Sequence, residues 1–177
     1  MTKDNKETIQ KSLQKKLNIK NVNALPKIDS VVVTMGIGSI VTRKWHKDFE
    51  EFEKNLIRIT GQKPRLVKAK QSISNFKLRE GMPVMLQCTI RSTKAVDFLD
   101  RFYKLVLPRI RDFEGTNSRS FDNQWNLTIG VKNYNIFPEL WVDDVIVPMG
   151  IGITIVTTTN KKEESQALLE EIWFVFK

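Results

Sequence analysis

From Val84 to Arg91 the chain alternates with period two: Val84, Leu86, Cys88 and Ile90 fall on one side, and Met85, Gln87, Thr89 and Arg91 on the other. A helix does not accommodate that pattern. A strand does, with one side sealed in a core and the other left for solvent or a ligand. A sheet built on such strands needs apolar cover on one side only. Two helices are there to supply it. Trp45, Phe49, Phe52, Leu56 and Ile59 form one stripe of a helix over 43–60, which stops at Gly61. A second helix over 94–107 turns Val96, Leu99, Phe102, Tyr103 and Val106 inward and ends at Pro108.

The remaining elements follow from local signals. Ile9, Leu13 and Leu17 mark a short amphipathic helix over 6–17, and Asn18–Pro26 is a connector. Ile28–Met35 reads as a strand ending in a tight turn at Gly36-Ile37-Gly38. Arg65–Lys70 predicts a strand and Gln71–Gly81 a loop. Arg109–Gln124 is a long polar loop, of a length that is usually functional or disordered. Trp125, Leu127, Ile129 and Val131 mark a strand, and Ile151–Thr158 another. Asn160 followed by Glu163 is a capping box that opens a final helix over 161–172. The predicted fold is α+β, a two-layer sandwich with an antiparallel or mixed sheet and helices packed on one face. All 177 residues read as a single domain. Residues 1–26 form its N-terminal helix and connector, and 71–81 and 109–124 its protruding loops.

Charge narrows the partner. The chain carries 29 Lys and Arg against 20 Asp and Glu, a net of +9. The excess is uneven: residues 139–177 hold three basic and seven acidic residues, so residues 1–138 hold 26 basic against 13 acidic. A basic body with an acidic end points to a polyanion, against the plainer reading of a soluble basic protein. The single cysteine, Cys88, rules out an intrachain disulfide. The polar start, with Asp4 and Glu7, reads as neither a signal nor a transit peptide. The uncharged stretch Val145–Asn160 is too short to span a bilayer and reads as a buried strand, so no membrane partner is expected.

Catalysis finds no support. His46 is the only histidine and falls on the polar side of its helix, while Cys88 falls on the apolar side of its strand, a buried and inert thiol. No clustered Cys, His or carboxylates suggest a metal site, and no cofactor is implied. Gly36-Ile37-Gly38 lacks both the third glycine of a dinucleotide loop and a phosphate-loop lysine.

The strongest positive feature is Gly61–Arg79. It carries Lys63, Arg65, Lys68, Lys70, Lys77 and Arg79, with no acid before Glu80, and Phe76 in an otherwise polar loop. Cations match phosphates and an exposed aromatic stacks on a base or ribose. The alternative is a solvated loop with Phe76 tucked into the core. Gln87, Thr89 and Arg91 extend the basic patch with donors and acceptors suited to 2′-hydroxyls and phosphates, or they are a plain exposed sheet face.

These segments together resemble the large-subunit ribosomal protein L-five family. The resemblance lies in Thr60-Gly61-Gln62-Lys63-Pro64, Lys68-Ala69-Lys70, Ser72-Ile73 and Phe76-Lys77-Leu78-Arg79-Glu80-Gly81-Met82-Pro83. It continues through Leu107-Pro108-Arg109-Ile110-Arg111-Asp112-Phe113, Ser120-Phe121-Asp122, Ile136-Phe137-Pro138-Glu139 and Ile153-Thr154-Ile155-Val156-Thr157-Thr158. It implies a non-enzymatic constituent of the large subunit, in a cytoplasmic or organellar ribosome, that binds 5S ribosomal RNA in the central protuberance. Thr34, Gln62 and Thr89 then map to the RNA face, flanked by Lys27, Lys63, Arg65, Lys68, Gln87 and Arg91. The loop with Lys70, Ser72, Asn75, Phe76, Lys77 and Arg79 would reach peptidyl-site tRNA. Arg109, Arg111, Asp112 and Phe113 would join an intersubunit bridge to a small-subunit head protein, and large-subunit RNA would be a further partner. The chain departs from the family pattern at Thr34 (usually Asn), Glu114 (usually Arg), Asn123-Gln124-Trp125 (usually Gly-Arg-Gly) and Met149–Gly152, which lacks the usual Arg and Asp. The competing classes are a free RNA chaperone and a small enzyme holding a phosphate ligand.

Overall fold

The period-two stretches become strands of one sheet. A computed structural model describes residues 3–44, 49–111, 113–140, 147–172, 174 and 176. Along the chain run α1 (Lys3–Leu17), β1 (Ile28–Gly36), α2 (Gly38–Lys44), α3 (Glu50–Thr60), β2 (Arg65–Lys68), β3 (Pro83–Arg91), α4 (Ser92–Arg101), β4 (Leu127–Val131), β5 (Ile151–Thr157) and α5 (Lys162–Glu171). The strand order is β2-β3-β1-β5-β4. β2 pairs antiparallel with β3, Arg65 opposite Gln87 and Leu66 opposite Leu86. Contacts between Thr158 and Lys27 and between Thr34 and Gly152 give β1 and β5 an antiparallel register. The fold is α+β, as the alternating and helical patterns predict.

The chain divides into two compact units, each drawn from separate stretches. The first takes Met1–Val31, Arg91–Ile129 and Thr154–Lys177. In it Leu13, Leu25, Ala167 and Leu168 form a buried cluster, with Ile9, Leu17, Ile19, Ile28 and Ile172 packed around it. The predicted Ile9–Leu13–Leu17 stripe is therefore the face that α1 turns to α5. Ser12 donates its hydroxyl to Glu171 at 2.8 Å, and Lys16 Nζ lies 2.6 Å from Glu170 Oε2. Ser165 is fully buried and donates to the Trp125 carbonyl at 2.8 Å, while Lys162 sits 5.9 Å above the Trp125 ring.

The second unit takes Val32–Ile90 and Gly130–Ile153. Val33 and Met35 of β1, Leu86, Cys88 and Ile90 of β3, and Ile151 and Ile153 of β5 are buried. From α3, Phe52, Asn55, Leu56, Ile59 and Thr60 are buried. Gly61 ends the helix in the left-handed region (φ 68°), its N–H bonded to the Ile57 carbonyl at 2.7 Å, as the sequence predicts. Strand positions between the buried ones, among them Val32, Thr34, Met85, Gln87 and Thr89, are only half-buried. One side of each strand is committed to the core and the other stays accessible.

Several elements differ from their sequence signals. The turn expected at Gly36–Gly38 shrinks to Ile37, because α2 starts at Gly38; a Cβ there would approach Val84 Cγ1 to 3.3 Å. The helix expected over 43–60 is found from Glu50 to Thr60; Trp45 and His46 lie outside the described residues. The helix expected over 94–107 changes winding, from α (Ser92–Arg101) to a π turn (Phe102–Val106) and a 3₁₀ turn (Leu107–Arg109). Pro108 has no N–H to continue the ladder. The buried positions are Ala95, Phe98, Leu99, Phe102, Val106 and Leu107, with Val96 and Tyr103 half-buried. Thr159, not Asn160, braces α5: its hydroxyl donates to Glu164 at 2.6 Å and accepts the Lys161 N–H at 3.2 Å. β2 stops at Lys68, two residues early, and β4 begins at Leu127, because Trp125 adopts a left-handed backbone (φ 60°).

That left-handed residue closes a turn around Asp122. Its carboxylate accepts the N–H groups of Gln124 (2.9 Å) and Asn126 (2.8 Å) and the Asn126 side-chain amide (2.9 Å). Burial opposes the charge, but these bonds outweigh it and hold the carboxyl below the ordinary aspartate range. A folded-state value below the unfolded one stabilises the fold above about pH 4, and that contribution fades as pH falls through the lower value. The stability difference between the wild type and Asp122→Asn, measured by urea unfolding at stepped pH, should be constant at neutral pH and shrink on acidification below about pH 4.

Candidate nucleic-acid interface

The core fixes the edge of the open face. Thr60 Oγ1 lies 2.7 Å from the Leu56 carbonyl and accepts the Gln62 N–H at 3.3 Å, just past the Gly61 cap. The Cys88 thiol, on the sealed side of β3, reaches the Gln62 carbonyl at 3.8 Å. From there the Gln62 side chain extends outward, and its Nε2 donates to the Thr89 carbonyl at 3.3 Å. Arg65 stands opposite Gln87 and so shares its face. Thr34, on the neighbouring strand β1, donates its hydroxyl to the Gly152 carbonyl at 3.2 Å. The second unit thus brings together Thr34, Gln62, Lys63, Arg65, Gln87 and Thr89. Lys68 follows a break in the β2–β3 register and pairs with Pro83 instead of continuing the alternation. Lys27 and Arg91, both exposed, belong to the first unit.

All six cations of the basic segment are exposed. Among the described residues, Lys63 alone of the six forms an ion pair, 3.5 Å from Glu53, and its side chain stays 81% exposed. An open pair of that kind contributes about 0–1 kcal/mol and yields readily to a phosphate. The charge on this edge is therefore left for a partner.

The 70–81 segment is a built hairpin, not a slack loop. Ile73 pairs with Leu78, Ser74–Phe76 forms a 3₁₀ turn, and Lys77 closes it in the left-handed region (φ 51°). Ala69 and Gly81 bond each other's neighbourhood through Ala69 N–H to Met82 C=O (2.8 Å) and Gly81 N–H to Ala69 C=O (3.0 Å). Ser72 Oγ accepts the Glu80 N–H at 2.9 Å. Phe76 is 72% exposed at the tip and Ile73 42%, so the reading in which Phe76 folds back into the core does not hold. Lys70, Ser72, Asn75, Lys77 and Arg79 are exposed on the same hairpin.

In the first unit, Arg109 and Arg111 are exposed, and Phe113 joins Tyr103, Lys104, Leu107 and Pro108 around a shallow cavity of about 400 Å³. Asp112 lies outside the described residues. Gly152 and Thr154 are not among the site residues that the sequence predicts. The Ile151–Ile153–Ile155 alternation puts both on the open side of β5, and it was legible there.

The chemistry available is binding. Burial pushes the Cys88 thiol up, with a smaller opposing bond from Thr60, so it is no nucleophile at neutral pH. Among the described residues no group of three or more His, Cys, Asp or Glu could hold a metal ion. Nor is any described helix long and apolar enough to cross a membrane.

Comparison with known proteins agrees along almost the whole chain. Residues 21–79 match the family model of ribosomal protein L5, and residues 83–176 match that of the family's C-terminus. Large ribosomal subunit protein uL5 of Syntrophotalea carbinolica is 44% identical over 165 residues, covering 93% of this chain and 89% of that protein. The protein of the same name from Streptococcus sanguinis is also 44% identical, over 93% of this chain and 91% of its own. That of Lactobacillus acidophilus is 41% identical over 99% of this chain and 97% of its own.

A hairpin tip that serves a partner should be dispensable for folding. Phe76→Ala should change unfolding free energy by less than about 0.5 kcal/mol, whereas Ile59→Ala, which empties a fully buried site, should cost about 2–5 kcal/mol. Chemical denaturation of the two variants checks the contrast.

Proposed function

This chain belongs to the ribosomal protein L5 family of the large ribosomal subunit, and from that premise we propose that it docks 5S ribosomal RNA on the open sheet face of its second unit. The protein is accordingly a structural component of the large ribosomal subunit and not an enzyme. The observation that carries the docking reading is the edge with Lys63, Arg65 and Lys68: exposed cations that, among the described residues, make one weak ion pair, with a polar strand face beside them. Lys63, Arg65 and Lys68 neutralise phosphates, and Thr34, Gln62, Gln87 and Thr89 supply the hydrogen bonds that set register. Lys27 and Arg91, exposed on the first unit, are RNA contacts of that unit in the same proposal. All of this works on the ribosome of the cytoplasm.

Two further contacts belong to the same reading. The hairpin carrying Lys70, Ser72, Asn75, Phe76, Lys77 and Arg79 reaches the peptidyl-site tRNA, with Phe76 stacking and the cations on phosphates; its exposed apolar tip on a hydrogen-bonded stem supports this. The segment with Arg109, Arg111, Asp112 and Phe113 contributes to an intersubunit bridge with a small-subunit head protein. Two exposed arginines and the cavity at Phe113 support this. Large-subunit RNA is the remaining partner.

The purified protein should select 5S RNA from a total RNA pool; affinity no better than for a random RNA of equal length contradicts the proposal. With Lys63, Arg65 and Lys68 on 5S phosphates, the log–log salt dependence of binding should have a slope of roughly −2 to −3. Lys77→Gln with Arg79→Gln should leave 5S affinity intact and weaken tRNA binding in the assembled ribosome. Loss of 5S affinity in that double variant would move the hairpin into the 5S site.

A further inference from the structure

A carbonyl has no proton to give, so across the 3.2 Å contact between Thr34 and Gly152 the hydroxyl proton must point at Gly152. Gln62 spends one of its two Nε2 protons on the Thr89 carbonyl at 3.3 Å. Both side chains have spent a donor inside the sheet. What Thr34 offers outward is its two lone pairs, while Gln62 keeps its Oε1 and its second Nε2 proton. A phosphate oxygen is itself only an acceptor and cannot bond to Thr34 Oγ1 in this state. Phosphates go instead to the exposed cations, the first of which, Lys63, follows Gln62 directly. On a nucleic-acid strand the proton donor next to each phosphate is the ribose 2′-hydroxyl, which DNA lacks.

Resting on the RNA-docking reading above, we propose that Thr34, held in place by Gly152, accepts a hydrogen bond from a ribose 2′-hydroxyl and so makes the face read ribose as well as phosphate. Gly152 is a positioning residue in this account. It sits on the open side of β5, between the buried Ile151 and Ile153. A Cβ there would come within 2.8 Å of Thr34 Oγ1, closer than real Cβ contacts allow. Any larger residue at 152 therefore turns Thr34 away and breaks the bond that aims its lone pairs.

The test uses the full chain and 5S ribosomal RNA in filter binding. Thr34→Val keeps shape and removes the hydroxyl. It should melt as the wild type does and bind about three- to tenfold more weakly, the range of one lost hydrogen bond. Single 2′-deoxy riboses are then placed through the segment that the protein protects from hydroxyl-radical cleavage. One of them should weaken the wild type by the same factor and weaken Thr34→Val no further. Inosine for guanosine, which removes a base amino donor, should affect both proteins equally; if it instead reproduces the Thr34→Val loss, the ribose assignment is overturned. Gly152→Ala should mimic Thr34→Val, yet add nothing in a Thr34→Ala background. Thr34→Val binding as tightly as the wild type overturns the proposal and leaves 5S docking standing, whereas a wild type with no preference for 5S RNA overturns the docking reading itself.

Discussion

A strand residue can face only one side, and in the second unit Val33, Met35, Leu86, Cys88, Ile90, Ile151 and Ile153 claim the same inner role. Everything on the opposite side follows from that commitment. Burial of these side chains, at about 1.5–3 kcal/mol each, pins the strand register, because a slip by one residue would turn all of them to solvent. The residues between them are then held at fixed positions without needing to stabilise anything. The link between the two sides is local and short. Thr60 and Cys88 hold the backbone at Gln62 from the core side, and the Gln62 amide crosses to Thr89 on the open side. The sealed face thereby orients the accessible one.

Charge gives that accessible face its meaning. Cations as closely spaced as those from Lys63 to Arg79 repel one another, and among the described residues the repulsion is relieved by one exposed pair with Glu53. Elsewhere in the same chain three lysines are matched: Lys16 with Glu170, Lys104 with Asp100, Lys161 with Glu164. The unmatched group coincides with an edge strand, a hairpin with an exposed aromatic tip, and a polar sheet face. A polyanion with ribose and phosphate along its surface neutralises the first, stacks on the second and hydrogen-bonds the third.

Much of this was legible in the sequence where one signal dominated. The alternation at Val84–Arg91, the Ile9–Leu13–Leu17 stripe and the Gly61 stop all appear where their side chains and backbone demand. Signals failed where neighbours competed. The reading of 94–107 centred the stripe on Val96, whereas Ala95, Phe98, Leu99 and Phe102 form it at ordinary α spacing, and the π turn ahead of Pro108 brings Leu107 in beside Val106. Asn160 and Glu163 have capping-box spacing, but Thr159 offered a better-aimed hydroxyl to Glu164. Trp125 reads as strand by side-chain type, yet the Asp122 turn takes its backbone. Phe76 was ambiguous in sequence because a lone aromatic in a polar loop is equally compatible with burial and with display; only the pairing of Ile73 with Leu78 decides for display. Gly152 reads in the sequence only as part of a departure from the family pattern, because its effect falls on Thr34, 118 positions away in the chain.

The central claim is that the open face of β1 and β3, with the cationic edge of β2, is the surface that meets 5S RNA. Amide and side-chain chemical shifts of the labelled protein, recorded during titration with 5S RNA, test it most directly. The account predicts that perturbations concentrate at Thr34, Gln62, Lys63, Arg65, Gln87 and Thr89, while the exposed side of α5 stays unmoved. Perturbations centred on α5 or on the acidic first turn of α3, with the strand face silent, would contradict it.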